Sequence, residues 1–498
     1  MNSNLENFQY ISKQLEQIKS STFYSNLFSM LNKSKLIDLD FDMKGHALMS
    51  FGDEFLSCIF KNLEFENSRK PLVFPDYIFL FTVLCTQENY DLLEYASIND
   101  IPVIITEDGF LKSADTNANQ KAPLKYRQGI SYTFETKAPY FDANRSSRLE
   151  LMLNDENLNF STDQILRAKR LIKKIVDSRL TKYNHQPIYT PSIGRKGVKK
   201  VLVVDQSATD MSVVLGRLNE FSFKKMLKTA IADNLDADII VKIHPDVLAK
   251  KRQGFFGNLK EHDNVYIQSE AINPISLIQY VDKVYVGSSQ LGFEALMCGK
   301  EVHVFGVPFY AGWGLTVDYM TCSRRTRKRS LEEIFYIAYI LYTAYVDPIK
   351  KKKIEIEEAI EFLLSIREEY TAYRQGHSDI KDYNEEEKYY LILKKEIEKH
   401  NSKHIILWGN SNFLTNFLDR YKNELPVVID IIDGSEKATN SENHGIKIHS
   451  LDYLDEIGNC YLISTLYNNH SIRYEYIKKY LTCCLNSEIE LAEDIFDE

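Results

Sequence analysis

The chain reads as an α/β protein made of two doubly wound lobes, a helical stretch and a third α/β module. Three observations predict this. Its 498 residues exceed one ordinary core. Apolar residues at 44% and charged residues at 26% belong to a packed globular protein. Short β-branched runs alternate with helical stretches over most of the length, the rhythm of βαβ units around a parallel sheet.

In the first lobe the apolar run PLVFPDYIFLFTVL is followed by a helical stretch, QENYDLLEYASIND, and by the short run IPVIIT. LIDLDFDM, Leu36 to Met43, reads as an alternating strand. STDQILRAKRLIKKIVDSRL is an amphipathic helix with Ser161 or Thr162 as N-cap, and the breaker-rich NHQPIYTPSIGRKG after it marks a linker. The second lobe repeats the rhythm through KKVLVVDQ, ADIIVKIHP, NVYIQSE, KVYVGSS and KEVHVFG. From Ser330 to about His400 the pattern is helical, and strands resume at HIILWGN, PVVIDIID, IKIHSLDYL and NCYLIST. The predicted organisation is a Rossmann-like lobe at 1–182, a linker at 183–199, a second Rossmann-like lobe at 200–325, a helical region packing back on the lobes at 326–400, and an additional Rossmann-like domain at 401–498. WGNSNFL lacks the GxGxxG glycines that let a pyrophosphate approach the backbone, so no dinucleotide is expected there.

A net charge of -9 gives no footprint for nucleic acid. No apolar stretch suits a signal peptide or a membrane span, and a cytoplasmic protein is expected. The seven cysteines show no CxxC spacing and read as reduced core thiols. Basic runs at Arg324–Arg329 and Lys350–Lys353 are either solvated faces or sites of local attraction to anionic lipid or phosphate.

Open α/β sheets bind ligands beyond the C-terminal ends of their strands. In the second lobe these ends carry Asp205, Gln206 and Asp210, then Lys242, His244, Pro245 and Asp246, then Gly287, Ser288 and Ser289. The Gly-Ser-Ser turn opens a helix, whose free amides suit a phosphate, although an ordinary N-cap reads the same way. Glu294 on that helix suits a ribose diol or plain solvent. Lys242 and His244 would neutralise a leaving phosphate without a metal. Asp210 suits a nucleophile or base, or a helix cap. In the first lobe Glu107 and Asp108 end a strand before Gly109, one to hold the turn and the other for acceptor binding or acid–base work. Arg145 and Arg148 stand near the same mouth and suit carboxylates.

Taken together, TEDGFLKS, FDANRSSRLE, VLVVDQSATDMS, KIHPD, GSSQLGFEAL, HVFGVPFYAGWGLT and RRTRKRSLEEIF resemble bacterial capsule-polysaccharide Kdo transferases over roughly residues 70 to 350. The resemblance implies a two-lobe GT-B glycosyltransferase, retaining and metal-independent, that moves Kdo (3-deoxy-D-manno-oct-2-ulosonic acid) from CMP-β-Kdo to a glycan or glycolipid acceptor. It implies Asp210 as nucleophile of a double displacement, and His244, Ser288 and Ser289 on the CMP phosphate with Glu294 at the ribose. Glu107 is the candidate base. Gln206, Lys242, Pro245, Gly287, Tyr310, Gly312 and Trp313 are grouped at the donor, and Asp108, Arg145, Arg148 and Arg324 at the acceptor or the sugar carboxylate. No cofactor is expected, and peripheral association with the inner membrane is. Lys112 and Ser146 depart from the pattern, where arginine and proline are usual.

Two other functions share this architecture: a sialyltransferase-like CMP-sugar transferase, and a non-catalytic glycan-assembly protein. Asp38-x-Asp40-x-Asp42 would hold a divalent ion in a metal-dependent transferase, but the same residues make a plain alternating strand.

Overall fold

The computed structural model describes residues 39–49, 55–66, 74–81, 87–243 (less 117, 118, 120, 121 and 209), 254–376 (less 258 and 262) and 385–492 (less 401, 410, 411, 426–428, 434–441, 444, 458, 459, 466–480 and 482–488). The chain divides into two compact units, Met1–Ala372 and Tyr373–Glu498.

In the first unit the chain begins a sheet with β1 (Gly45–Met49), β2 (Leu63–Glu66), β3 (Tyr77–Phe81), β4 (Val103–Asp108) and β5 (Ser131–Glu135). β2, β1, β3 and β4 run parallel in that spatial order, and β5 pairs antiparallel with β4. Ile78, Leu80, Val103 and Ile105 pack beneath the helix Gln87–Asn99 through Leu92, Leu93 and Ala96, while Phe60, Phe79 and Phe134 fill the other face edge to face. Strands covered on both sides are apolar throughout, which is why they read as continuous runs rather than alternations.

A second sheet of six parallel strands follows: β6 (Lys200–Val204), β7 (Asp238–Lys242), β8 (Val265–Gln268), β9 (Lys283–Val286), β10 (Glu301–Val304) and β11 (Val317–Asp318), in the order β8-β7-β6-β9-β10-β11. The winding reverses between β6 and β9. A crevice therefore opens beyond the C-terminal ends of those two strands, because the helices that follow them lie on opposite faces.

The chain then returns to the first sheet. After the helix Leu331–Phe335 and a π-helical turn, Tyr336–Leu341, come β12 (Thr343–Asp347), antiparallel to β5, and β13 (Lys352–Ile354), antiparallel to β12. Region 326–400 is thus not continuously helical, as its pattern suggests. TAYVD is a five-residue buried strand, too short to override the helical periodicity on either side. The Asp347 carboxylate accepts from the amides of Ile349 (3.0 Å) and Lys350 (2.9 Å) and closes a hairpin turn. Lys352 and Lys353 occupy the sheet edge, where lysine discourages further pairing. The helix Ile356–Gly376 follows.

LIDLDFDM is not a strand over its described part. Residues 39–42 lead into a turn in which the Asp42 amide donates to Asp40 Oδ1 (3.0 Å), and β1 starts only at Gly45. Leu39, Phe41 and Met43 still pack on the core, so the alternation records burial without a ladder. Asp38 lies outside the described residues, and Asp40 and Asp42 are exposed.

The second unit contains β14 (His404–Trp408), β15 (Ile429–Ile432), β16 (Glu442–Asn443), β17 (Ile446–His449), β18 (Cys460–Ser464) and β19 (Ile489–Leu491), in the order β16-β17-β15-β14-β18-β19. All pair in parallel except β16 with β17. The turn after β14 passes through Gly409 at φ +113°, and the Thr465 hydroxyl donates to the carbonyls of Trp408 and Gly409. Among the described residues, no helix is long and apolar enough to cross a membrane.

Candidate active site

The reversal between β6 and β9 brings Gln206 against the Gly287–Ser288–Ser289 turn. Gln206 Oε1 accepts from the Ser288 amide (2.9 Å), and its Nε2 reaches Ser288 Oγ and Ser212 Oγ (3.3 Å each). Ser288 Oγ donates to the Ser212 carbonyl (2.7 Å). A Cβ at Gly287 would meet Gln206 Oε1 at 2.7 Å, so only glycine permits this approach. Ser289 stands at the mouth of the crevice, and its amide makes no hydrogen bond to another described residue. Its carbonyl is held by the Tyr310 hydroxyl.

Asp205, one residue beyond β6, is buried and accepts from the amides of Gln206 (2.9 Å), Phe255 (3.0 Å) and Phe256 (3.4 Å). Burial pushes its carboxyl up to about 7 despite those amides. It thereby ties the Phe255–Phe256 segment to the end of β6. Asp210 is different. It caps the helix Met211–Val214 through one oxygen, Oδ1, on the Ser212 amide (2.8 Å), and its other oxygen has no hydrogen bond among the described residues. The cap fixes the carboxylate without consuming it.

Lys242 ends β7 between two buried carboxylates. Burial lowers it to about 8, against the attraction of Glu294 and Asp205. Glu294, on the helix Leu291–Met297, is raised to about 7, first by burial, while the Thr181 hydroxyl and the Lys182 amide donate to it. That carboxylate is therefore held at the seam with the first lobe, not presented to solvent. His244 and Pro245 lie outside the described residues.

From the first lobe, β4 delivers Glu107 and Asp108. Lys112 Nζ pairs with Asp108 Oδ2 (2.6 Å), and the Gln290 amide group reaches across to the Phe110 carbonyl (2.8 Å). Tyr140 packs between Phe110 and Phe309, one from each lobe (5.2 and 6.1 Å). Burial raises its phenol to about 12, and it feels the charges of Lys182, Glu107, Asp108 and Asp210. Asp210 of one lobe and Glu107 of the other thus both lie within electrostatic reach of the Tyr140 phenol.

The arrangement can bind a phosphate at Ser289, supply a carboxylate at Asp210 and supply a second acid or base from the opposite lobe. No cluster of three or more His, Cys, Asp or Glu suited to a metal occurs among the described residues.

A model of the capsule polysaccharide biosynthesis protein family matches residues 92–352, more than half of the chain. The chain belongs to that family. Among curated proteins it is 34% identical over 282 residues to the capsule polysaccharide modification protein LipA of Neisseria meningitidis, covering 55% of this chain and 39% of LipA. It is 38% identical over 268 residues to the lipopolysaccharide-processing protein LpsZ of Rhizobium meliloti, covering 53% and 59%. The chain thus spans about two fifths of LipA and less than two thirds of LpsZ. Among solved structures, the β-Kdo 2,4 transferase of Thermosulfurimonas dismutans KpsC superposes with TM-score 0.57 at 32% identity, covering 64% of this chain and 98% of that one. The resemblance carried by the sequence motifs holds.

Several residues of this capsule-family chain that sequence reasoning sends to the ligand are spent on scaffold instead. Arg148 donates to the carbonyls of Phe134 (3.1 Å) and Tyr342 (3.2 Å) and covers the Tyr342 ring. Arg324 pairs with Glu150 Oε1 (2.6 Å) and caps the carbonyls of Ala143 and Arg145. Arg145 pairs with Asp142 (2.9 Å). In the aromatic motif, Trp313 Nε1 bonds the Phe309 carbonyl (2.7 Å), and the Gly312 amide bonds Asp318 in a turn at φ +83°. Much of the basic run at Arg324–Arg329 is likewise engaged within the fold. Arg327 and Arg329 bind carbonyls of Met152, Leu153, Asp155 and Leu158, at and beyond the C-terminal end of the helix Arg148–Asn154, where the macrodipole favours cations.

Sequence reasoning missed Thr181, Lys182 and Tyr140, which sit at the seam. The only available signal was a lysine between two hydroxyl-bearing residues at the head of a linker. It also missed Glu150, which takes Arg324 and Arg325 together.

Proposed function

We propose that the chain is a retaining β-Kdo glycosyltransferase of two-lobe GT-B arrangement that uses CMP-β-Kdo to extend a capsule or other surface glycan. The observation that carries this reading is the 32% identity to the β-Kdo 2,4 transferase of KpsC across 98% of that chain. The Rossmann strand order, with its crevice at Gln206 and Ser289, supports a nucleotide-sugar donor on the second sheet.

In the proposed mechanism the Ser289 turn and His244 hold the CMP phosphate, and Lys242 offsets its charge. An Asp210 oxygen attacks the anomeric carbon, the bond from that carbon to the phosphate oxygen breaks, and CMP departs. An acceptor hydroxyl then attacks from the opposite face, Glu107 takes its proton, and Asp210 leaves as carboxylate. Two inversions give net retention. The charges that stabilise departure come from side chains, so the proposal includes no metal. The enzyme would act in the cytoplasm, against the inner membrane where lipid-linked acceptors reside.

The test is incubation with CMP-Kdo and, separately, CMP-sialic acid, following CMP release and the anomeric configuration of any product. CMP release from CMP-Kdo alone, with a β-linked product, is expected. Turnover of CMP-sialic acid alone, or of neither donor, overturns the reading.

A further inference from the structure

The segment Thr181–Lys182–Tyr183 runs along the seam between the two lobes, and both lobes hold it. On one side the Thr181 hydroxyl and the Lys182 amide bind the Glu294 carboxylate. On the other the Lys182 carbonyl accepts from the amides of Lys112 (3.1 Å) and Ser113 (3.2 Å), and Ser113 bridges Tyr183. The backbone is thus fixed without recourse to the Lys182 side chain. Its Nζ lies 5.9 Å from the centre of the Tyr183 ring and forms no ion pair among the described residues. Lys112, over the same ring at 5.6 Å, is already paired with Asp108.

The surroundings of Lys182 are acidic. The carboxylates of Glu107 and Asp108 act on it electrostatically, and Asp210 acts on Tyr140, which neighbours the same groups. Burial works against its charge, yet those neighbours hold its proton more firmly than an ordinary lysine does. A sugar acid entering this space meets a difficulty. In an ulosonic acid the carboxylate is attached to the carbon that is attacked, so it must sit within a few ångströms of Asp210, where two like charges repel. A cation beside both removes the repulsion. The arginines suited to that duty are committed elsewhere, Arg145 to Asp142, Arg148 to carbonyls and Arg324 to Glu150.

We propose that Lys182 is the specificity-determining cation of the cleft, its ammonium receiving the carboxylate of an acidic sugar. The inference rests on the transferase reading above. The carboxylate belongs either to the donor or to an acidic acceptor terminus, and the chemistry recognised is the same.

The experiment uses the full chain with Lys182→Met and Lys182→Arg, which keep every backbone contact of residue 182. Release of CMP from CMP-Kdo without acceptor gives the donor KM and kcat. Transfer to a Kdo-terminated oligosaccharide gives the acceptor KM, and CMP alone, titrated calorimetrically, reports the nucleotide site. In K182M a KM raised about tenfold or more is expected, the scale of one charge-assisted hydrogen bond, with CMP affinity unchanged and K182R recovering much of the loss. A rise in the donor KM assigns the carboxylate to the donor, and a rise confined to the acceptor KM assigns it to the acceptor. If the parent turns over CMP-Kdo and K182M matches it in both, the role of Lys182 is overturned while the transferase reading stands. If the parent does not use CMP-Kdo, both fall.

Discussion

Glu150 offers the sharpest test of how the two lobes are joined. It is 3% exposed, and it accepts from Arg324 Nε (2.6 Å) and Nη2 (3.2 Å) and from Arg325 Nε (3.0 Å). Arg325 is buried as well, and its Nη1 donates to the carbonyls of Pro308 and Ala311, inside the aromatic motif. Glu150→Gln keeps the shape and one acceptor oxygen but leaves a buried guanidinium without its counter-charge. Breaking a buried pair from one side costs about 3–5 kcal/mol. The lower end applies here, because Arg324 keeps two carbonyls and some water. For a unit of 372 residues, about 3 kcal/mol lowers the melting temperature by roughly 4 °C. The pH dependence supplies a second check. Burial raises the Glu150 carboxyl, but the two arginines outweigh it and hold the group below its usual value. A depressed acid stabilises the fold above its unfolded pKa and loses that contribution as pH falls through the folded value. The gap between parent and Glu150→Gln should therefore be full at pH 7 and shrink below about pH 4.5. Differential scanning calorimetry across that range decides it. A variant melting within 1 °C of the parent at pH 7, or a gap that does not narrow in acid, refutes the latch.

Asp210→Asn should bind CMP as the parent does and lose transfer by several orders of magnitude, while a sugar adduct on residue 210 of the parent should be visible by mass spectrometry; substantial residual transfer, or an inverted product, rules out the double displacement. Gly292→Ala places a Cβ 2.2 Å from the Tyr310 hydroxyl and must break its bond to the Ser289 carbonyl. A melting loss of about 1–3 kcal/mol with weaker CMP binding is expected, and an unchanged CMP isotherm would separate Tyr310 from the donor turn. Removal of residues 401–498 should leave CMP release intact, since WGNSNFL lacks the dinucleotide glycines. A folded truncation without turnover, or tightly bound nicotinamide in the full chain, contradicts that.

The parts of the fold that can be read from the sequence are those where one physical rule acts alone. KVLVV, DIIVK and KVYV are buried on both faces and bounded by turn residues, so their burial and their ends are both audible in the pattern. TAYVD fails that test because it lies between a helix and a lysine run, and only its pairing with β5, some two hundred residues earlier, makes it a strand. LIDLDFDM fails in the opposite sense. Leu39, Phe41 and Met43 face the core with strand spacing, but among the described residues no neighbouring backbone offers a ladder. Periodicity reports which side chains are buried; hydrogen-bonded pairing is a separate, long-range fact.

The same division runs through the site. Gln206, Lys242 and Ser289 are placed by where strands stop, a local signal, and they stand around the crevice. Arg148, Arg324 and Trp313 are assigned by chemical type, and type does not choose between a ligand and the protein's own carbonyls. A guanidinium in a packed seam must satisfy several donors, and here the carbonyls of Phe134 and Tyr342 take Arg148 while those of Ala143 and Arg145 take Arg324. A large aromatic flanked by glycines likewise buries its ring and turns its polar tip to the nearest backbone oxygen, as Trp313 does to Phe309. Tyr310 obeys the same rule, but the oxygen it finds belongs to Ser289. The motif FYAGWGLT therefore acts on the proposed donor turn at one remove: Arg325 and Glu150 hold the motif, and Tyr310 holds the turn through its hydroxyl, while Phe309 and Tyr310 pack on Phe293 of the helix that the turn opens.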